Sequence, residues 1–170
     1  QAVKKITTWA AANGFLEKVE VLTFVDGGTS VQWMLDAGAK VMNLLTKGSL
    51  NHLKHQLKKT PEQHFNEIEE TITLAKSNGL SVNVYLEDWS NGMRNSKDYV
   101  LQYLDYLTQL PIKRVLLPDT LGVLTHWETA AYINELVIRY PNTHFDFHAH
   151  NDYDLGTANA LEAVRNGIHG

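Results

Sequence analysis

Short apolar runs alternate along the chain with longer amphipathic stretches. Val19 to Val25, Val41 to Leu45, Leu80 to Glu87, Arg114 to Pro118 and the segment from His144 are rich in β-branched or aromatic residues and end in turn signals, which predicts strands. Within Leu80 to Glu87 the period is two: Val82, Val84 and Leu86 share one face, and Asn83, Tyr85 and Glu87 the other. Helical spacing fills the gaps. It links Ala2, Ile6, Trp9 and Ala10; Val31, Met34 and Leu35 behind a Thr29 or Ser30 cap; Phe65, Ile68, Ile72 and Ala75; and Val100, Tyr103, Leu104 and Leu107 behind a Ser96 cap. Further helices run to about Tyr140 and from about Thr157 to Asn166-Gly167. Two helix starts are written out in full. Thr60-Pro61-Glu62-Gln63 places a capping threonine, a proline at the first helical position and a glutamine three residues after the cap, and Thr125 with Glu128 repeats the box. The stretches Thr46 to Leu50 and Asp88 to Gly92 read as loops.

Strand-helix units repeating every roughly 25 to 40 residues predict an α/β fold with a parallel sheet and right-handed crossovers. No glycine-rich phosphate loop follows a strand, so a dinucleotide site has no support. Polar residues gather instead at strand C-termini: Tyr85 and Glu87, Asp119 and Thr120, His148 and His150. That is where a (β/α)8 TIM barrel places its chemistry. Such a barrel runs to about 250 residues, so residues 1–170 are expected to be one catalytic TIM-barrel domain, a partial barrel of about five β/α units truncated at both ends.

Composition narrows the function. With 44% hydrophobic and 20% charged residues the chain can bury a core and has no disordered bias. A net charge of -4 without any Lys/Arg-rich run argues against nucleic acid or an anionic membrane as partner. No apolar run reaches membrane-span length and no secretory signal opens the chain, so the expected compartment is cytoplasmic. Without cysteine, a metal must take nitrogen and oxygen ligands. His52, His55, His64 and His126 lie in polar stretches and are expected to be solvated. The informative histidines are in His144-Phe145-Asp146-Phe147-His148-Ala149-His150-Asn151-Asp152. Alternation puts Phe145 and Phe147 on one side of a strand and Asp146, His148 and His150 on the other, so two imidazoles can face one divalent cation from a rigid element.

Pro118-Asp119-Thr120-Leu121-Gly122 on one strand and His148-Ala149-His150-Asn151-Asp152 on the next resemble the acyl-CoA-condensing (β/α)8 enzymes, which include isopropylmalate, homocitrate and citramalate synthases. Val41 to Ser49, Asn83 to Gly92 and Tyr153-Asp154-Leu155 are most similar to the citramalate synthase branch, and the likeness covers essentially the whole chain. The resemblance implies an acyltransferase: a Claisen-type condensation of acetyl-CoA with a 2-oxo acid, pyruvate giving (R)-citramalate, in leucine and isoleucine biosynthesis. It further implies a divalent metal (Mn, Zn or Mg) held by His148 and His150, Glu87 as the proton-transfer residue, Thr120 donating to the substrate carboxylate, and Leu22, Leu45 and Tyr85 walling the pocket. The partners would be small molecules, and the full-length protein a homodimer.

Each role has a plainer alternative. Glu87 could serve only an ion pair, Thr120 only a turn, and Leu22 and Leu45 only barrel filling; Asp119 is expected to hold its loop. The family's Asp-Arg-Glu-type first-strand motif and last-strand asparagine ligand are not in this sequence, so two metal ligands and no activity alone are expected. Isopropylmalate synthase is the nearest rival. Homocitrate synthase ranks lower because nothing cationic sits at the matched pocket positions, and an amidohydrolase would carry His-x-His on its first strand. A non-catalytic metal-binding fragment is the third reading.

Overall fold

β-branched residues at strand spacing and capped amphipathic helices alternate along the chain, and each helix returns over the sheet to start the next strand beside the last. The computed structural model describes residues 1–170. Its elements are α1 (Ala2–Ala12), β1 (Glu20–Phe24), α2 (Thr29–Asp36), β2 (Val41–Lys47), α3 (Leu50–His52), α4 (Pro61–Ser77), β3 (Ser81–Glu87), α5 (Trp89–Asn95), α6 (Lys97–Leu107), β4 (Arg114–Asp119), α7 (His126–Arg139), β5 (Phe145–Ala149) and α8 (Gly156–Arg165). A π-helical turn, Leu53–Leu57, follows α3. The five strands lie side by side in sequence order, all parallel. This is a partial (β/α)8 barrel of five β/α units. His169 and Gly170 continue it by hydrogen-bonding along the free edge of β5. No helix is long and apolar enough to cross a membrane.

Alternation sorts the side chains. Met42, Leu44, Val82, Val84, Leu86, Val115, Leu117 and Phe145 face outward into the helix layer, where Ile68, Ile72, Tyr103, Leu104, Ile133 and Leu136 are equally buried. Full burial of a side chain such as Ile68 stabilises by about 1.5–3 kcal/mol. The opposite parity faces the barrel interior. Near the strands' N-terminal ends it supplies one polar residue from every strand: Glu20, Asn43, Asn83, Arg114 and Asp146. Asn43 donates to Glu20 (3.1 Å), Asn83 to Asn43 (2.8 Å), and Arg114 to both Asp146 (2.6 Å) and Glu20. Arg114 on β4 reaching Glu20 on β1 requires the sheet to curl, as a barrel wall must.

Local departures from the expected pattern have local causes. Both capping boxes form as expected. Thr29 and Ser30 do not cap α2; Asp26 does so instead, accepting the Ser30 amide and hydroxyl. Ser96 occupies the cap position of α6, but its hydroxyl donates to the Gly92 carbonyl and accepts the Leu50 amide. The turn-like Asp88 to Gly92 starts the short helix α5, and β2 runs two residues beyond Leu45. On α1, Ile6 and Trp9 are exposed.

His64 is the largest surprise among the histidines, for it is 1% exposed rather than solvated. Its Nε2 accepts the Lys47 amide at 3.1 Å, so the remaining proton belongs on Nδ1. Burial, and then the charges of Lys59 and Lys47, push this imidazole down from 6.5 to about 4. Because the folded pKa lies below the unfolded one, the contribution is complete above pH 6.5 and declines as the unfolded chain takes up a proton that the fold refuses. Between pH 6.5 and about 4 the loss should reach roughly 3 kcal/mol. Denaturant titrations across that range check it. His64→Gln, which retains an acceptor but does not titrate, should flatten this part of the profile, and an equally steep profile would discount His64.

Candidate active site

The C-terminal end of the sheet collects the chemistry. β5 ends at Ala149, so His148 leaves its last turn of pleat and His150 follows just beyond. Their rings are 5.1 Å apart between centroids and tilted by 34°. Neither ring enters a hydrogen bond with the protein, and burial followed by the neighbouring His150 lowers the His148 pKa, favouring the neutral, lone-pair-bearing imidazole. Tyr85, on the same interior face of β3, meets His148 edge-on at 5.5 Å. Burial pushes its phenol up to about 12, so it stays a neutral donor.

Glu87 lies one interior step beyond Tyr85 and is paired with Lys47 of β2, its register partner. The ion-pair alternative for Glu87 is therefore present, with a lysine of the neighbouring strand as its partner. Three helix side chains fix that end of β2. His64 accepts the Lys47 amide, Tyr99 donates to the Lys47 carbonyl (2.7 Å), and Tyr103 donates to Thr46 (2.7 Å). Leu45, directly across from Tyr85 in the ladder, occupies the next interior position inward from Lys47. Leu22, on the outer strand β1, is 53% exposed and forms part of an apolar groove of about 600 Å³ with Phe24 and Trp33. Tyr85 is thus brought beside His148 and Leu45 beside Tyr85, whereas Leu22 stands on the next strand, in register with Asn43.

Thr120 follows β4, and its hydroxyl oxygen accepts the Asp88 amide at 2.8 Å. Asp119 is fully buried and accepts the Val123 and Leu124 amides, so it holds the loop. That loop is also gripped from α5. Arg94 makes a two-point hydrogen bond to Glu128 (2.6 Å each) and donates to the Val123 carbonyl (2.7 Å). The arginine hydrogen bond is the main reason the Glu128 carboxyl falls to about 2. At φ +61°, Gly122 packs against the histidine segment: a Cβ there would stand 3.0 Å from the Asp152 amide nitrogen and 3.2 Å from the His150 carbonyl carbon. The two motifs singled out in the sequence therefore touch.

This end of a parallel barrel, with two adjacent imidazoles free of other partners and Glu87 two residues beyond Tyr85 on β3, can be compared with known proteins. A family model described as HMGL-like matches residues 10–170. The chain belongs to the HMGL-like family. Homocitrate synthase of Sulfurisphaera tokodaii is 39% identical over 116 residues, 68% of this chain and 25% of that protein. The homocitrate synthase of Saccharolobus solfataricus is 37% identical over the same share of the chain. The HMGL-like chain spans about a quarter of the length of these curated relatives. The crystal structure of hydroxymethylglutaryl-CoA lyase from Pseudomonas aeruginosa shares the fold, with a TM-score of 0.77 over 88% of this chain and 51% of that one, at 18% identity.

The donor chemistry of this HMGL-like site fits part of a divalent metal's coordination sphere: two imidazole rings free of protein hydrogen bonds, with no third histidine, aspartate or glutamate grouped beside them. Sequence reading missed Lys47 and Asp88. The signal for Lys47 was available, because period two carries the interior face of β2 from Asn43 through Leu45 to Lys47. For Asp88 no local signal existed.

Proposed function

We propose that residues 1–170 form part of the catalytic barrel of a cytoplasmic, homodimeric acyltransferase that condenses acetyl-CoA with a 2-oxo acid, pyruvate being the preferred one and (R)-citramalate the product. The observation that carries this reading is the His148–His150 pair beside Tyr85 at the C-terminal end of an HMGL-like barrel sheet. His148 and His150 would hold a divalent ion (Mn, Zn or Mg), whose Lewis acidity would lower the cost of charge developing on the keto oxygen by several kcal/mol.

The protein's own residues account for the remainder. Glu87 takes the proton leaving the acetyl methyl group, the resulting carbon nucleophile adds to the keto carbon, and the keto oxygen gains a proton. Water then hydrolyses the thioester and releases the thiol of CoA. Lys47 holds the Glu87 carboxylate in place, and the Thr120 hydroxyl donates to the carboxylate of the 2-oxo acid. Tyr85 and Leu45 fill the space beside the keto carbon, which suits a methyl group better than a branched chain.

A second reading has specific support. The relatives are named homocitrate synthase, and the interior does hold a cation, Lys47, one step from Leu45. A distal carboxylate would have to compete with Glu87 for it, which favours the smaller substrate. Assay of the full-length protein for thiol release with acetyl-CoA and pyruvate, 2-oxoisovalerate or 2-oxoglutarate tests the assignment, and preference for 2-oxoglutarate would install the second reading. Leu45→Ala should raise kcat/KM for 2-oxoisovalerate relative to pyruvate by about tenfold or more, since each methylene is worth about 1–3 kcal/mol. An unchanged ratio would show that Leu45 does not gate the pocket.

A further inference from the structure

Asp88, next to Glu87, is 1% exposed and sits in the left-handed region at φ 65° and ψ 26°, which aspartate tolerates because its short side chain hydrogen-bonds locally. Several contacts converge on it. Its carboxylate accepts the Ser49 hydroxyl (2.6 Å) and the Asn91 side-chain amide (2.8 Å) and lies 3.4 Å from the His52 Nε2. Its amide N–H points to the Thr120 hydroxyl oxygen at 2.8 Å. The loops after β2, β3 and β4 thus meet on one buried residue.

The direction of the last bond matters. A hydroxyl has one proton and two acceptor lone pairs. With the Asp88 amide occupying a lone pair, the Thr120 proton remains free to be given away. The N–H belongs to the Glu87–Asp88 peptide, and the contacts of the Asp88 carboxylate to Ser49 and Asn91 tether the residue that carries it between the two neighbouring loops. We propose that Asp88 is a positioning residue: its clamped carboxylate holds in place the peptide whose N–H orients the Thr120 hydroxyl, so that the hydroxyl proton is delivered to the carboxylate of the 2-oxo acid. This inference rests on the condensing reaction assigned above.

The test uses full-length protein and steady-state kinetics with both substrates. Asp88→Gly keeps access to the left-handed conformation but removes the clamp, and should raise KM for the 2-oxo acid about tenfold while leaving KM for acetyl-CoA unchanged. Asp88→Asn, which tolerates positive φ and keeps an acceptor for Ser49, should restore KM to within about threefold of wild type. In a Thr120→Val background the Asp88→Gly substitution should add almost nothing, because the two act through one hydroxyl. If Asp88→Gly does not fold, Ser49→Ala combined with Asn91→Ala loosens the same clamp and should give the same split between the two KM values. Equal rises in both KM values, or additivity with Thr120→Val, overturns the inference and leaves the reaction assignment standing. A metal-loaded wild-type protein that turns over no 2-oxo acid overturns both.

Discussion

Replacing either His148 or His150 with alanine should reduce divalent-metal affinity at least about a hundredfold and abolish measurable condensation, because losing a direct ligand must cost more than the 10–100-fold lost with a supporting contact. The chain groups no third histidine or carboxylate beside the pair, so nothing nearby can replace a missing imidazole. Stability should hardly change. His150 is exposed, His148 is largely so, and neither ring holds a hydrogen bond that folding would lose. Metal content after dialysis, calorimetric titration and thermal melting of the full-length protein separate these effects. A His150→Ala protein that keeps wild-type metal stoichiometry would remove the foundation of the proposed chemistry.

Gly92→Ala should be the most destabilising of the conservative substitutions. The new Cβ would lie 2.1 Å from the Gly48 carbonyl oxygen and 2.8 Å from Val100. Gly48 has no room to yield: a Cβ built on it would stand 2.6 Å from the Leu86 carbonyl oxygen, and its amide donates to the Glu87 carbonyl at 2.7 Å. Backbone must therefore shift at the ends of β2 and β3, which costs about 3 kcal/mol or more and lowers Tm by roughly 6–12 °C. Turnover should fall with it, since Lys47, Glu87 and Asp88 flank the contact. Gly14→Ala provides the contrast. Its φ of +74° imposes backbone strain, but nothing lies within 4 Å, so about 1 kcal/mol is expected. A Gly92→Ala protein melting within about 2 °C of wild type would mean that the two loops do not pack this closely.

Particular residues show where reading along the chain succeeds. The box at Thr60 and Gln63 formed as written because its partners are three residues apart. The shared face of Asn83, Tyr85 and Glu87 followed from alternation alone. The failures are also physical. Polar surroundings in sequence suggested a solvated His64, but those neighbours lie on other faces of α4, and the face bearing His64 packs under the end of β2. The belt through Glu20 and Arg114 joins residues 94 positions apart, and no periodic pattern encodes that meeting.

By itself the sequence determined the order of the five strands and the longer helices between them, the parallel α/β class and the face on which His148 and His150 stand. Those follow from caps and periodicities, whose partners lie within about a turn or a pleat of one another. Only the tertiary structure decided that Lys47 meets Glu87, that Asp88 joins three loops at Thr120, and that Leu22 stands away from the pair it was grouped with. Such contacts depend on how far a curled sheet brings separate strand ends together, a distance fixed by packing of the whole helix layer rather than by any single stretch of chain.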